Sequence, residues 1–451
     1  MQRHCWMIDT FAQMPKRRAV IFGDRVYSYA DLVGRIDYYS KLIREEDIES
    51  GSVVAINSDY SFEAIALFFA LTDNKNIIVP IIATASEEIN SRIQSAEADY
   101  LFTPENEHFI SNKLHGKNRK HNYIEKLIKE GKSGLVLFSS GSTGKPKAML
   151  HDLDKLIQGY RGKKQKEINT LIFLTFDHIG GIDTLLRLLS IGGTITIPAS
   201  RQPEEICRLI EKHQVNVLPS SPTFLNLLLL SGLHQKYDLS SLKIIAFGAE
   251  PMPESLLLRL RKLFPGIELQ QKFGTSETNA IKVTSRSNDS LFMKFDDPNL
   301  EHKVIDGELW LKSKTQVLGY LNAPMDDFTE DGWFKTGDLV ETSEDGYIKI
   351  IGRNKEIINV GGEKVLPSEV ESVLLEMDEF SDVLVYGEKN QITGESVAVE
   401  IVLKQDIDKR EAKKAIRKFC RDKLESYKIP TKINIVDQTN FGDRFKKIRR
   451  R

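Results

Sequence analysis

Residues 135–147 read Leu135-Val136-Leu137-Phe138-Ser139-Ser140-Gly141-Ser142-Thr143-Gly144-Lys145-Pro146-Lys147. The first four are apolar and predict a short buried strand. The strand opens into a run of small, hydroxyl-bearing and cationic residues. Glycines let backbone N–H groups wrap an anion, hydroxyls add donors and lysine supplies charge. Such a loop suits a triphosphate or pyrophosphate. A Walker loop would need Gly five residues before the last Gly and Ser or Thr after the Lys. Ser139 and Pro146 occupy those places, so that reading fails twice. A flexible Ser/Gly turn is the alternative that the loop alone leaves open.

On the N-terminal side, residues 20–36 predict a hairpin running into a helix, with Ser28 or Asp31 near its cap. Val53 to Asn57 and Ile77 to Ile82 read as strands around a helix from Phe62 to Leu71. Residues 102–132 are polar and Lys-rich and read as a loosely structured connection. On the C-terminal side, strand patterns at Leu171 to Thr175, Thr194 to Ile197, Val215 to Leu218 and Lys243 to Phe247 alternate with helical ones. The helical patterns are Ile182 to Leu189, Glu204 to Lys212 and a stretch opened by Pro253 and stopped by Pro265-Gly266. Strands alternating with helices predict layered, mainly parallel sheets, whose ligands bind beyond the C-terminal strand ends. From Val304 short strands take over, giving a small β-rich subdomain. After Gly352 comes an α/β unit of about one hundred residues, a size usual for a separate domain. Its first helix has a Ser368-x-x-Glu371 capping-box pattern. The expectation is a large domain, residues 1–352, and a smaller mobile domain, residues 353–451.

At 451 residues the chain exceeds what one hydrophobic core serves. A net charge of −1 gives no global basic field to recruit nucleic acid or membrane. The most apolar windows, residues 64–71 and 225–230, fall far short of a membrane span, which needs roughly 20 residues, and read as core helices. Cys5, Cys207 and Cys420 are far apart and lack metal-ligand spacing, which suits a reduced, cytoplasmic setting.

Four motifs follow the loop in order: Phe273-Gly274-Thr275-Ser276-Glu277, Thr336-Gly337-Asp338, Gly352-Arg353 through Gly361-Gly362-Glu363-Lys364-Val365, and Lys447-Ile448-Arg449-Arg450. Together with the loop they resemble the adenylate-forming superfamily: acyl-CoA synthetases, carrier-protein adenylation domains and luciferases. The resemblance runs from about Val20 to Arg450 and is nearest in texture to bacterial AMP-forming acyl-CoA synthetases.

The resemblance implies a role for each motif. Ser139, Ser140, Gly141, Ser142, Thr143, Gly144 and Lys145 would cradle the phosphates of ATP. Gly248, Ala249 and Glu250 would form the adenine-side turn, and Phe273, with Gly274 and Thr275, would pack on the base. Ser276 would contact the α-phosphate and Glu277 would hold Mg²⁺. Asp338 would bind the ribose with Arg353 near it, and Lys355 would be the hinge. Gly361 and Gly362 would line the route of a thiol, and His178 would gate the tunnel to it. Lys447 would bridge carboxylate and α-phosphate as the catalytic lysine. The residue before it is Lys446 rather than Gly, so the register could slip by one. Each residue also has a plainer account: a surface Glu after a turn, a turn Asp, a solvated linker charge, a core histidine, or a basic tail for an acidic partner.

The implied activity is adenylation of a carboxylic acid followed by transfer to CoA. A free-standing enzyme loading a phosphopantetheinyl carrier protein in trans would have much the same sequence. A nucleotide-binding protein without the chemistry is the alternative from another class. Candidate pocket walls (residues 176–181, 220–224, 247–248 and 272–273) carry no obvious counter-ion for an amino acid, which favours a fatty or aryl acid.

Overall fold

The computed structural model describes residues 3–114, 119–139, 146–404, 408–442 and 446–449. Two seven-stranded sheets dominate the first three hundred residues. In one, the parallel strands Arg18–Phe22, Thr194–Ile197, Asn169–Leu171, Val217–Ser220, Ile244–Phe247 and Glu268–Gln271 lie side by side. Arg25–Ser28 closes one edge as an antiparallel hairpin partner. In the other, Tyr100–Glu105, Val53–Asn57, Ile77–Ile81 and Gly134–Ser139 run parallel. Gly134–Ser139 also pairs antiparallel with Lys147–Asp152.

The main core lies between these sheets. Its centre is the helix Phe62–Asp73, in which every residue from Phe62 to Thr72 but Glu63 is buried. Each fully buried Phe, Leu or Ile there contributes about 1.5–3 kcal/mol relative to exposure, so a helix apolar on all sides belongs at the centre of the layers. The hairpin and cap predicted for residues 20–36 are present. Ser28 accepts from the Asp31 N–H and Asp31 reciprocates, so both candidates share one capping box.

Three expectations needed correction. The connection over residues 102–132 contains a strand, His108–Lys113, and a helix, Asn122–Lys129. The strand gains a full antiparallel ladder against Tyr100–Glu105, and the helix buries Ile124 and Leu127. Partners distant in sequence override a polar local composition. The strand expected at residues 171–175 ends at Leu171, because the chain leaves the sheet to form the turn before the helix Ile179–Ser190. The capping box at Ser368 does not form. The helix Pro367–Leu374 begins with Pro367 after Leu366, Ser368 Oγ donates to the Ile351 carbonyl, and Glu371 is buried and bonded elsewhere.

A six-stranded antiparallel sheet includes Leu300–Ile305, Glu308–Ser313, Phe334–Thr342 and Ile348–Arg353. The last hundred residues have their own five-stranded sheet and their own core of Val370, Leu374, Val383, Val385, Val399, Ile401 and Ile416. Among the described residues, no helix is long and apolar enough to cross a membrane.

Candidate active site

Glu277 sits in the tight turn between the strands Phe273–Thr275 and Asn279–Ile281. Thr275 Oγ1 accepts the Thr278 N–H at 3.0 Å, and Asn279 takes a positive φ of 66° with its amide on the Thr315 carbonyl. The turn is therefore fixed from both sides. The Glu277 carbonyl also accepts from Val317 N–H at 2.8 Å. Tyr320 OH donates to Glu277 Oε1 at 3.1 Å. Among the described residues Glu277 has no ion-pair partner, and burial raises its pKa, with Asp327 adding to the rise and Lys147 opposing it. A desolvated carboxylate with spare oxygen lone pairs suits a hard cation such as Mg²⁺, which commonly takes one or two protein carboxylates.

Tyr320 reaches Glu277 because the two-residue strand Gly319–Tyr320 pairs antiparallel with Leu150 and Met149, on the strand Lys147–Asp152. A Cβ on Gly319 would lie 2.1 Å from the ring of Tyr123, so only glycine permits this approach. Tyr320 is buried. Lys147, first residue of the strand Lys147–Asp152, points its ammonium at Asp327 Oδ2, 2.6 Å away, and lies 4.7 Å from the centre of the Tyr320 ring. Asn322 holds the backbone on both sides of Lys147, accepting from Ala148 N–H at 2.8 Å and donating to the Pro146 carbonyl at 2.9 Å.

Sequence reading missed Lys147, Tyr320, Asn322 and Asp327. The double lysine around Pro146 was a usable signal for the first. For the others the signal is tertiary, since their partners are more than forty residues away. Ser139 pairs with Lys147 at the ends of the two strands. Ser140, Gly141, Ser142, Thr143, Gly144 and Lys145 lie outside the described residues.

Asp338 and Arg353 face each other on neighbouring antiparallel strands, with Arg353 Nε 2.8 Å from Asp338 Oδ1. Asp338 is 3% exposed. Burial pushes its pKa up and the Arg353 guanidinium opposes that, while Arg353 is held charged chiefly by Asp338. Thr336 Oγ1 accepts the Asp338 N–H at 3.0 Å, which sets the turn. Arg353 also feels the charge of Glu277, so the Asp338 pair and the Glu277 cluster form one electrostatic neighbourhood. Phe273 packs on Phe295 with ring centres 5.6 Å apart. Ser276 is in the Glu277 turn.

Gly248, Ala249 and Glu250 follow the strand Ile244–Phe247, and Ala249 has a φ of 73°. Glu250 Oε1 accepts the Thr223 N–H at 2.7 Å, and its other oxygen accepts the Lys447 N–H at 3.3 Å. His178 caps the helix Ile179–Ser190, its Nδ1 accepting from Gly180 N–H at 3.0 Å. The neighbouring Asp177 pairs with Arg92 at 3.2 Å. Lys355 falls in the short 3₁₀ turn Asn354–Glu356 directly after Arg353. Gly361 and Gly362 are the two central residues of a hairpin between Ile358–Val360 and Glu363–Val365, with φ of 62° and 98°. A two-residue hairpin with both φ positive is a glycine position.

The Lys447 side chain is 9% exposed. Its Nζ donates to the Val383 carbonyl at 2.5 Å and lies 3.1 Å from Asp382 Oδ1. Burial alone would lower its pKa, but Asp382 and Glu371 outweigh burial and raise it. Arg449 Nη2 donates to Glu371 Oε2 at 2.7 Å and faces Glu356 at 3.6 Å. Asn226, Glu250, Arg259, Asp382, Lys447 and Arg449 line one cavity here. The structure thus assembles two groups. One joins Glu277, Tyr320, Asp327, Lys147, Arg353 and Asp338; the other joins Lys447 to Glu250, Asp382 and Glu371.

Residues 8–321 match the AMP-binding enzyme family, and residues 369–440 match the AMP-binding enzyme C-terminal domain. The chain belongs to the AMP-binding enzymes, the adenylate-forming class that its motifs resemble. Among curated relatives, 2-succinylbenzoate–CoA ligase of Bacillus licheniformis is 26% identical, with 96% of each chain aligned. Acyl-CoA synthetase 7 of Caenorhabditis elegans is 32% identical over 67% of this chain and 61% of its own length. Among solved structures, the anthranilate CoA ligase AuaEII with anthranoyl-AMP superposes with a TM-score of 0.84 at 19% identity, covering 98% of this chain and 95% of that one. The o-succinylbenzoate CoA synthetase of Bacillus subtilis in complex with its acyl-adenylate gives a TM-score of 0.78 at 22% identity, covering 100% and 98%. The predicted α/β architecture is that of these enzymes.

Proposed function

We propose that this chain activates a carboxylic acid with ATP, releasing pyrophosphate, and passes the acyl group from the adenylate to CoA. The observation that carries the reading is the cluster at the exit of the phosphate loop. Glu277 and Lys147 meet there around Tyr320, within electrostatic reach of the Asp338–Arg353 pair. Two anions must be brought together, so catalysis is chiefly charge neutralisation and alignment.

In this reading residues 139–145 and Lys147 hold the phosphates, and Glu277 holds magnesium. When bound, magnesium neutralises phosphate charge. Phe273 takes the adenine beside residues 248–250, and Asp338 takes the ribose hydroxyls, with Arg353 securing its carboxylate. Ser276 donates to the α-phosphate. Lys447 bridges the acid and the α-phosphate, which requires its ammonium to leave Asp382 and the small domain to swing about Lys355, at the boundary near residue 353. Gly361 and Gly362 leave room for the incoming thiol, and His178 flanks its path to the acid.

A carrier protein in trans is a second acceptor worth testing. The helix Lys409–Arg421 exposes Arg410, Lys413, Lys414, Arg417, Lys418 and Arg421, a face complementary to an acidic thiol carrier. The free, buried Cys5, Cys207 and Cys420 support a reducing, cytoplasmic setting.

A pyrophosphate-release assay over a panel of fatty, aryl and dicarboxylic acids tests the first step. Adding CoA or a loaded carrier protein to the best acid then identifies the acceptor. Absence of acid-dependent pyrophosphate release across the panel would refute the reading.

A further inference from the structure

Resting on the assignment of Glu277 and Lys147 to the magnesium–nucleotide site, we propose that Tyr320 and Asp327 are positioning residues for them. Glu277 stands on a hairpin turn and Lys147 on the strand Lys147–Asp152, 130 residues apart in sequence. Neither element pairs with the other. What joins them is the segment after Val317. Val317 N–H bonds the Glu277 carbonyl at 2.8 Å, and Gly319 and Tyr320 pair with the strand Lys147–Asp152. The Tyr320 side chain then closes the circuit, its hydroxyl on Glu277 Oε1 at 3.1 Å and its ring 4.7 Å from the Lys147 ammonium.

The chemistry of each contact points the same way. A phenol that donates to one carboxylate oxygen fixes the plane of the carboxylate and leaves the other oxygen for a cation. A lysine has four rotatable carbons and a mobile charge. Asp327 at 2.6 Å limits that mobility and holds the ammonium over the Tyr320 ring. Phe328 packs edge-on against the Tyr320 ring at 6.2 Å and is itself backed by Phe334, tilted against it at 5.0 Å, so the ring has little freedom to turn. Tyr320 therefore acts through Glu277, and Asp327 acts through Lys147.

The test is direct binding of ATP to the full-length protein, with Mn²⁺ (followed by its paramagnetic resonance signal) and without metal. Tyr320→Phe keeps the ring and removes only the hydroxyl. It is expected to weaken Mn²⁺–ATP binding about tenfold, in line with loss of one hydrogen bond to a charged group, and to leave metal-free ATP binding unchanged. Asp327→Asn is expected to weaken ATP binding with and without metal, and to have no further effect in a Lys147→Met background. Asp327→Glu should restore most of the loss. Wild-type-like Mn²⁺–ATP binding by Tyr320→Phe, or equal loss of metal-free binding, would overturn the role of Tyr320. Additive effects of Asp327→Asn and Lys147→Met would overturn that of Asp327. Failure of the wild-type protein to bind Mn²⁺–ATP would instead overturn the assignment of the nucleotide site on which both depend.

Discussion

His151 lies on the strand Lys147–Asp152, opposite Leu135, and is completely buried. Neither ring nitrogen has a hydrogen-bond partner among the described residues. Burial pulls its pKa from the ordinary 6.5 down to about 3. The unfolded chain therefore binds a proton on this residue near pH 6.5 while the folded one does not. Its contribution to stability is fully present above 6.5 and is lost as pH falls through that value toward 3. The full gap amounts to about 5 kcal/mol, of which about 2 kcal/mol is lost by about pH 5. That is a large share of the roughly 5–15 kcal/mol that a folded protein has in hand.

Replacing His151 by Leu, of similar bulk, removes the titration. It also removes ring nitrogens buried without partners, each costing about 1–3 kcal/mol. The expected result is a variant more stable than the wild-type protein at neutral pH, with its advantage growing by about 2 kcal/mol on going to about pH 5. Urea unfolding of both proteins at the two pH values, followed by fluorescence and by hydrogen exchange on the strand, measures the difference of differences. An equal loss of stability on acidification in both proteins would refute the reasoning, since other groups would then account for it.

Three further outcomes follow from the site. Lys447→Ala should slow acyl-adenylate formation by about 10²–10³-fold, as loss of a preorganised charge does, while thioester formation from supplied adenylate survives; single-turnover kinetics separates the two steps, and an unimpaired first step would remove Lys447 from the chemistry. Asp338→Asn should raise the KM for ATP at least about tenfold and, by weakening a charge-assisted bond to Arg353, lower stability by about 1–3 kcal/mol; an unchanged KM would speak against ribose binding. Gly362→Val places a branched side chain at a φ of 98°, costing about 1–2 kcal/mol; it should slow transfer to the thiol without slowing pyrophosphate release, and matching rates in both steps would show that the hairpin takes no part in transfer.

Much of the fold is legible in the residues because the deciding signals are local. Alternating β and α periodicity places the strands at Val53–Asn57, Ile77–Ile81, Thr194–Ile197, Val217–Ser220 and Ile244–Phe247 within a few residues. Ser28 or Asp31 marks a helix start, and in the fold both share its capping box. The hairpin at Gly361 and Gly362 is a finding of the structure, and glycine suits it because no other residue type adopts both torsions cheaply. The order of the five motifs was enough to point to the family. By contrast, Ser368 and Glu371 had the right spacing for a cap, yet a stronger tertiary demand took Glu371: the Val385 N–H at 2.9 Å and the Arg449 guanidinium at 2.7 Å.

What the sequence determined by itself are the elements, their layering and the family, because these depend on periodicity and on short runs whose meaning is independent of context. Only the tertiary structure decided which charges meet. Lys147 faces Asp327 and Tyr320, Glu277 borrows a phenol from forty-three positions away, and Lys447 is held by Asp382 and the Val383 carbonyl beside Glu250. Each contact depends on chain segments brought together by packing of distant strands. Electrostatic interactions act over a few ångströms of space, and separation along the chain does not encode them.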